Sequence, residues 1–179
     1  MKEWCCEYGG ARQFMQEVVG PGLKNEFPAG MVVKGGWGDP SGMRGADADS
    51  TLSAFWVLNE EFKLGIEPIR TNEFVPRRDA VIEWLRRGVG DEPALVIDPG
   101  CVMLRRGFNG GYHFRSVPVA GEERYKEKPE KNEYSHVHDA LQSLCLGIKD
   151  VSGEWTVVGR RGVYKHPDAM AEWEAAVAG

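Results

Sequence analysis

Hydrophobic and polar positions switch between two periods along this chain of 179 residues, and the switches mark its elements. A helix is expected around Arg12 to Val19, stopped by Gly20-Pro21-Gly22. Met31 to Val33 is a short apolar run that reads as a strand, and the glycines and Asp39-Pro40 after it end it in a loop. Thr51 to Leu58 (TLSAFWVL) is β-prone and is expected to pair back on the first strand, with a third strand near Ile66 to Arg70. Residues 77–87 (RRDAVIEWLRR) predict an amphipathic helix with Val81, Trp84 and Leu85 as its buried stripe and Arg77, Arg78, Arg86 and Arg87 outside. Ala94 to Asp98 (ALVID) is a continuous apolar run, as expected of a strand buried on both faces. A short helix with Val102, Met103 and Leu104 follows, then a strand within GGYHFRSVPV. GEERYKEKPEKNE has almost no apolar content and predicts a mobile loop. NEYSHVHDALQSLCLG reads as a well-made helix. After Gly147, EWTVV and GVYK suggest a hairpin and DAMAEWEAAVA a short helix.

That order predicts an α/β fold: a mixed sheet whose first three strands are antiparallel, flanked by helices. The expected organisation is a lead-in segment over 1–30, a core domain over 31–149, and an extension over 150–179 packed on the same domain. The chain is long enough to bury a core without disulfides or structural metals. At 42% hydrophobic and 27% charged it has an ordinary soluble composition. It carries no apolar run near membrane-spanning length and no signal peptide, so no membrane partner is expected and the cytoplasm is the expected compartment. The four cysteines, Cys5, Cys6, Cys101 and Cys145, form no C-x-x-C pair, which argues against zinc and for free thiols. A net charge of −5 argues against coating nucleic acid by bulk charge. It leaves room for a local basic groove and suits an acidic metal-binding cluster.

Three aspartates occupy positions that composition does not demand. Asp39 follows the first expected strand, Asp98 ends the buried run, and Asp139 lies in the late helix. Three acceptor-only ligands brought together would repel one another unless a hard cation sat among them, and Mg²⁺ or Mn²⁺ suits such a set better than zinc. Each also has an ordinary explanation. Asp-Pro is commonly a turn, and an aspartate at a strand end is often a helix cap. Asp139 lies nearly opposite the apolar stripe of Val137, Leu141, Leu144 and Ile148, as a solvated residue would. Its own stripe, Ser135, Asp139, Gln142, Ser143 and Leu146, is built of short side chains that would let another surface approach closely. Periodicity alone leaves Asp139 undecided.

The blocks taken together say more. WGDPSG, a threonine-led apolar segment, TNEFVPRRDAVIEWL, LVIDPGC, FNGGYHF and KNEYSHVHDALQSLCLG follow in an order and spacing that resemble the C-terminal nuclease domain of the large terminase subunit of tailed double-stranded DNA phages. The resemblance spans roughly residues 31 to 147, and KNEYSHVHDALQ is its most specific part. It implies a ribonuclease H-like fold and a two-metal-ion endonuclease that cuts concatemeric phage DNA during packaging with little sequence preference. It implies Asp39, Asp98 and Asp139 as the catalytic, metal-binding carboxylates, holding two Mg²⁺ or Mn²⁺ ions. It implies double-stranded DNA, the portal protein, the small terminase subunit and the terminase ATPase domain as partners, in the cytoplasm of the infected bacterial host. Two departures stand out. No G-x-x-x-x-G-K-[ST] is found, so the resemblance is to the nuclease half alone. The segment between Tyr112 and the late helix is short, which leaves room for a different control of DNA access.

Weaker candidates surround these. His136, one helical step from Asp139, is a possible extra site residue; His138 faces elsewhere. Asp49, with Asp47 beside it in the loop after the first strand, is a possible extra ligand. Arg44, Lys126, Lys128 and Lys131 are the candidate phosphate contacts for DNA. Trp37, Trp56 and Trp84 read as core. Two rivals stay open: another ribonuclease H-like nuclease such as a resolvase, and a non-catalytic docking module for the portal or motor.

Overall fold

A computed structural model describes residues 1–5, 9–26, 35–44, 52–119, 122–150, 156–159 and 162–165, the last two stretches by backbone alone. Helix and strand are mixed, as an α/β reading expects. The first helix runs on through Gly20-Pro21-Gly22: α1 (Ala11–Phe14), a π-helical turn (Met15–Val19) and α2 (Gly20–Glu26) join without leaving helical dihedrals. The wide π turn absorbs the proline, so the expected stop does not occur.

β1 (Gly36–Gly38) leads directly into Asp39. Its partner is β2 (Ile66–Pro68), and the two run parallel, with Trp37 opposite Glu67. This corrects the expected antiparallel start of the sheet. A parallel pair needs a crossover, usually helical, and the chain between supplies one. Ser53 caps it by accepting from the Trp56 N–H at 3.2 Å. The crossover is α3 (Ala54–Trp56), continued by a π turn (Val57–Glu61). The β-prone TLSAFWVL thus turns helical, because a serine cap and the parallel connection outweigh propensity. Trp56, expected in the core, is 45% exposed. Met31 to Val33 lies outside the described residues.

α4 (Phe74–Arg86) buries Phe74, Arg77, Ala80 and Val81. The buried stripe runs 74, 77, 81 and the half-buried Trp84, so Leu85 is exposed and Arg77 is inside, the reverse of the expectation for both. β3 (Gly88–Val89) and β4 (Glu92–Pro93) make a tight turn. Ala94 to Asp98 then joins no ladder of the four described sheets. It is half-buried, not buried on both faces: Leu95 and Ile97 pack on the core while Val96 is exposed. Its neighbour is the N-terminal residue. Met1 donates to the Val96 carbonyl at 3.2 Å and accepts from the Asp98 N–H at 3.3 Å.

α5 (Val102–Arg106) begins against Glu3, whose carboxylate accepts from the Met103 and Leu104 N–H groups at 2.8 and 2.9 Å. β5 (Ser116–Val119) pairs with β6 (Glu122–Tyr125), so the charged segment expected to be a loop begins as a strand. α6 (Ser135–Asp150) is the late helix, and β7 (Thr156–Gly159) and β8 (Gly162–Lys165) form the expected hairpin. The rest of the extension lies outside the described residues. No helix among the described residues is long and apolar enough to cross a membrane.

The core gathers Ile69, Ala80, Val81, Cys101, Leu104, Leu141, Cys145 and Leu146, with Trp37, Trp84, Leu95, Ile97 and Val137 against it. α6 packs on both α4 and β1. It therefore buries Leu141 and Cys145 together with the polar stripe members Ser135, Gln142 and Ser143. Cys5, Cys101 and Cys145 are free thiols; Cys145 is buried, which pushes its thiol up to about 12. Gly147 is where β1 meets α6: a methyl group there would overlap the root of the Trp37 indole.

Gly147→Ala is a test of this contact in which two effects oppose. Helix propensity alone favours alanine by about 1 kcal/mol. Overpacking against a ring that cannot swing away costs about 1–3 kcal/mol. Urea denaturation should show a net loss of stability; a gain would mean that Trp37 does not sit on Gly147.

Candidate functional site

Asp39 is held by its own turn and by the start of α4. It caps the 3-10 turn Pro40–Met43, its Oδ1 accepting from the Ser41 N–H at 2.8 Å. Asn72 then donates to both carboxylate oxygens, at 2.8 and 3.0 Å. Burial pushes the carboxyl up. The Ser41 and Asn72 hydrogen bonds and the nearby Arg77 charge together outweigh it, and Asp39 titrates below the ordinary carboxylate range.

Asp139 stands on α6. Its Oδ1 accepts from the Arg77 guanidinium at 3.1 Å, and Lys131 donates to its Oδ2. The pair is protected: the Arg77 side chain is 8% exposed and that of Asp139 18%. The charge of Arg77 also helps to lower the Asp39 carboxyl, behind the Ser41 and Asn72 hydrogen bonds. Tyr112 feels the charges of Asp139, Lys131 and Arg77, and accepts from Gln142 Nε2 at 3.2 Å. Burial, opposed by that hydrogen bond, raises the Tyr112 phenol above its usual value.

Asp98 has other partners. Its Oδ1 accepts from the Gly100 N–H at 2.8 Å, and Lys2 Nζ lies 3.3 Å away. The Gly100 bond, ahead of the charge of Lys2, holds it below the usual range. Asp39 and Asp98 therefore both make the side-chain turns that their Asp-Pro neighbours suggest. The structure pairs Asp139 with Arg77, whose charge also acts on Asp39, while Asp39 itself bonds to Ser41 and Asn72. No three His, Cys, Asp or Glu side chains converge as a ligand set among the described residues.

His136 is exposed, and it is His138 that turns inward. Its ring stacks on Tyr112 with centroids 4.6 Å apart and meets Phe108 edge-on at 4.7 Å. A Cβ at Gly107 would collide with the same ring, so glycine there makes room for it. Burial pulls the His138 imidazole below its ordinary value, against a hydrogen bond to the Leu104 backbone and the Asp139 charge. Among the described residues, the buried polar atoms Arg77 Nε, Gln142 Oε1 and His138 Nε2 lack hydrogen-bond partners.

Arg44, Lys126 and Lys128 are exposed, as phosphate contacts would be, and Lys131 is exposed but paired with Asp139. Asp47 and Asp49 lie outside the described residues. Sequence reasoning passed over Asn72, Arg77, Tyr112 and Gln142. All four fall inside the motif blocks TNEF, RRD, GGYHF and HDALQ, and that membership is the signal that could have found them. Set against protein-family models, curated proteins and solved structures, the chain matches none.

The buried His138 sets a pH dependence. Its imidazole is neutral in the fold and titrates below the unfolded value of about 6.5. The stability it contributes is present above that value and is lost as pH falls through the folded pKa, because the unfolded chain binds the proton first. Urea midpoints of the wild type should drop below pH 6.5 more steeply than those of His138→Gln. Parallel profiles for the two proteins would contradict the assignment.

Proposed function

We propose that the protein is a metal-dependent endonuclease that cleaves double-stranded DNA with little sequence preference. It would be of the ribonuclease H-like kind found in the large terminase subunit of tailed phages. The observation that carries the proposal is the protected ion pair of Asp139 with Arg77, a residue whose charge also acts on Asp39. The resemblance assigns both residues to one metal site, and nothing in periodicity alone brings them together. β1 running into Asp39, with α6 packed across it, agrees with the ribonuclease H-like reading, whereas the parallel pairing of β1 with β2 in a two-stranded sheet does not.

Carboxylate oxygens are the ligands a hard cation takes, but the buried Arg77 charge on Asp139 opposes one, and no three ligand side chains converge among the described residues. Asp39 and Asp139 would hold Mg²⁺ or Mn²⁺, and Asp98 enters the set through the resemblance. When bound, such ions activate water and neutralise the departing oxygen. The chain's own contribution is positioning. Asn72 and the Ser41 N–H fix both oxygens of Asp39, and α6 fixes Asp139. Arg44, Lys126 and Lys128 offer exposed cations to a phosphate backbone, which makes affinity fall steeply with salt. Double-stranded DNA, the portal protein, the small terminase subunit and the ATPase domain are the partners this reading carries.

A second reading has one observation in its favour. Both oxygens of Asp39 and of Asp139 are already occupied by hydrogen-bond donors, as in a non-catalytic docking module. Plasmid cleavage separates the two. The wild type should nick or degrade plasmid with Mn²⁺ or Mg²⁺ and not in EDTA, and Asp139→Asn and Asp98→Asn should each lower the rate at least about 100-fold. Equal cleavage by the variants, or cleavage in EDTA, would sink the nuclease reading. Folded wild type that leaves plasmid intact at low salt would favour the docking module.

A further inference from the structure

We propose that the outward face of α4 is an interface between two copies of this chain, packed antiparallel about a two-fold axis at Ile82. This pairing holds whether or not the chain cuts DNA.

α4 buries Phe74, Arg77, Ala80 and Val81 on one side. Its other side carries apolar side chains that the core does not use. Val75 and Leu85 are 52% and 49% exposed, and Ile82 is half-buried. They stand at i, i+7 and i+10, the spacing of a seam that packs against a second helix. Single exposed aliphatic residues are ordinary, whereas three in one seam mark a contact surface. Ile82 also lines an open hollow of about 510 Å³, walled otherwise by Asp79, Glu83, Arg86 and Arg87.

The charges choose the partner. The acids Asp79 and Glu83 come first along the hollow, and the bases Arg86 and Arg87 follow. A parallel pair of helices would set Asp79 beside Asp79 and Arg86 beside Arg86, which like charges oppose. An antiparallel pair centred on Ile82 instead sets Asp79, just before the axis, near Arg86 of the other copy, just after it. Two-fold symmetry makes that contact twice. Asp79 Oδ1 accepts from Arg78 at 2.9 and 2.7 Å, and its Oδ2 makes no hydrogen bond among the described residues. Arg86 is exposed and makes no ion pair among the described residues. Leu85 of each copy then enters the hollow of the other and lies on its Ile82, a knob and hole that the symmetry repeats. A net charge of −5 repels a second copy at long range, so the opposite charges on this face set where the two meet.

Sedimentation equilibrium of the full chain reads the association. The wild type should dimerise in the micromolar range. Arg86→Asp and Asp79→Arg should each weaken the dimer at least about tenfold, because each sets like charges across the axis twice. The double variant, with its charges exchanged, should return to within about threefold of the wild type. Leu85→Ser should also weaken the dimer at least about tenfold. These positions are exposed, so circular dichroism should show every variant folded. Wild type that stays monomeric at millimolar concentration would overturn the pairing. So would a dimer that Arg86→Asp and Leu85→Ser leave unchanged, or a folded double variant that associates no more tightly than the single ones. If a variant at Asp79 does not fold, Arg86→Asp and Leu85→Ser decide.

Discussion

The ion pair between Arg77 and Asp139 is the constraint on which the rest of the arrangement depends. A guanidinium this deeply placed is tolerated only where a carboxylate meets it, since an uncompensated buried charge is strongly destabilising. The pair therefore fixes how α4 and α6 face each other. The charge of Arg77 also acts on Asp39 at the end of β1. The remaining contacts fall in around it: Trp37 over Gly147, Gln142 on Tyr112, and His138 between Tyr112 and Phe108.

Those contacts explain how a helix with an aspartate opposite its apolar stripe can be packed on two sides. Ser135, Gln142 and Ser143 are short or hydrogen-bonding side chains buried on a helix that packs against both β1 and α4. Asp139 then stands at the rim of a polar seam, neither solvated nor sealed. A protein folding for stability alone would more simply fill such a seam with apolar side chains. Arg77, Asp139 and the three unsatisfied polar atoms are the kind of local inconsistency found at functional sites.

Much of the fold was legible where one period dominated. The late helix, the helix after residue 73, the short helix at Val102 and the final hairpin follow from the pattern of apolar positions. The misreadings have separate causes. TLSAFWVL is β-prone by composition, but Ser53 caps a helix and the parallel pairing of β1 with β2 needs a crossover there. ALVID looks doubly buried because it is uniformly apolar, yet Val96 faces out. Arg77 was placed outside because arginine is rarely buried, and only its partner on another helix could reverse that. Within the candidate site, Asp39, Asp98 and Asp139 were named through the motif blocks of the resemblance. Asp98 is held by Lys2 and the Gly100 N–H, contacts that no spacing rule describes.

The central claim is that Arg77 and Asp139 act as a unit, and a double-mutant cycle tests it most directly. Arg77→Met, Asp139→Asn and the double variant would be compared with the wild type by urea denaturation. The account predicts a coupling of about 1–3 kcal/mol, with the double variant less destabilised than the sum of the single ones. Losses that add to within about 0.5 kcal/mol would mean that the two side chains do not depend on each other, and the seam joining β1, α4 and α6 would have to be held by something else.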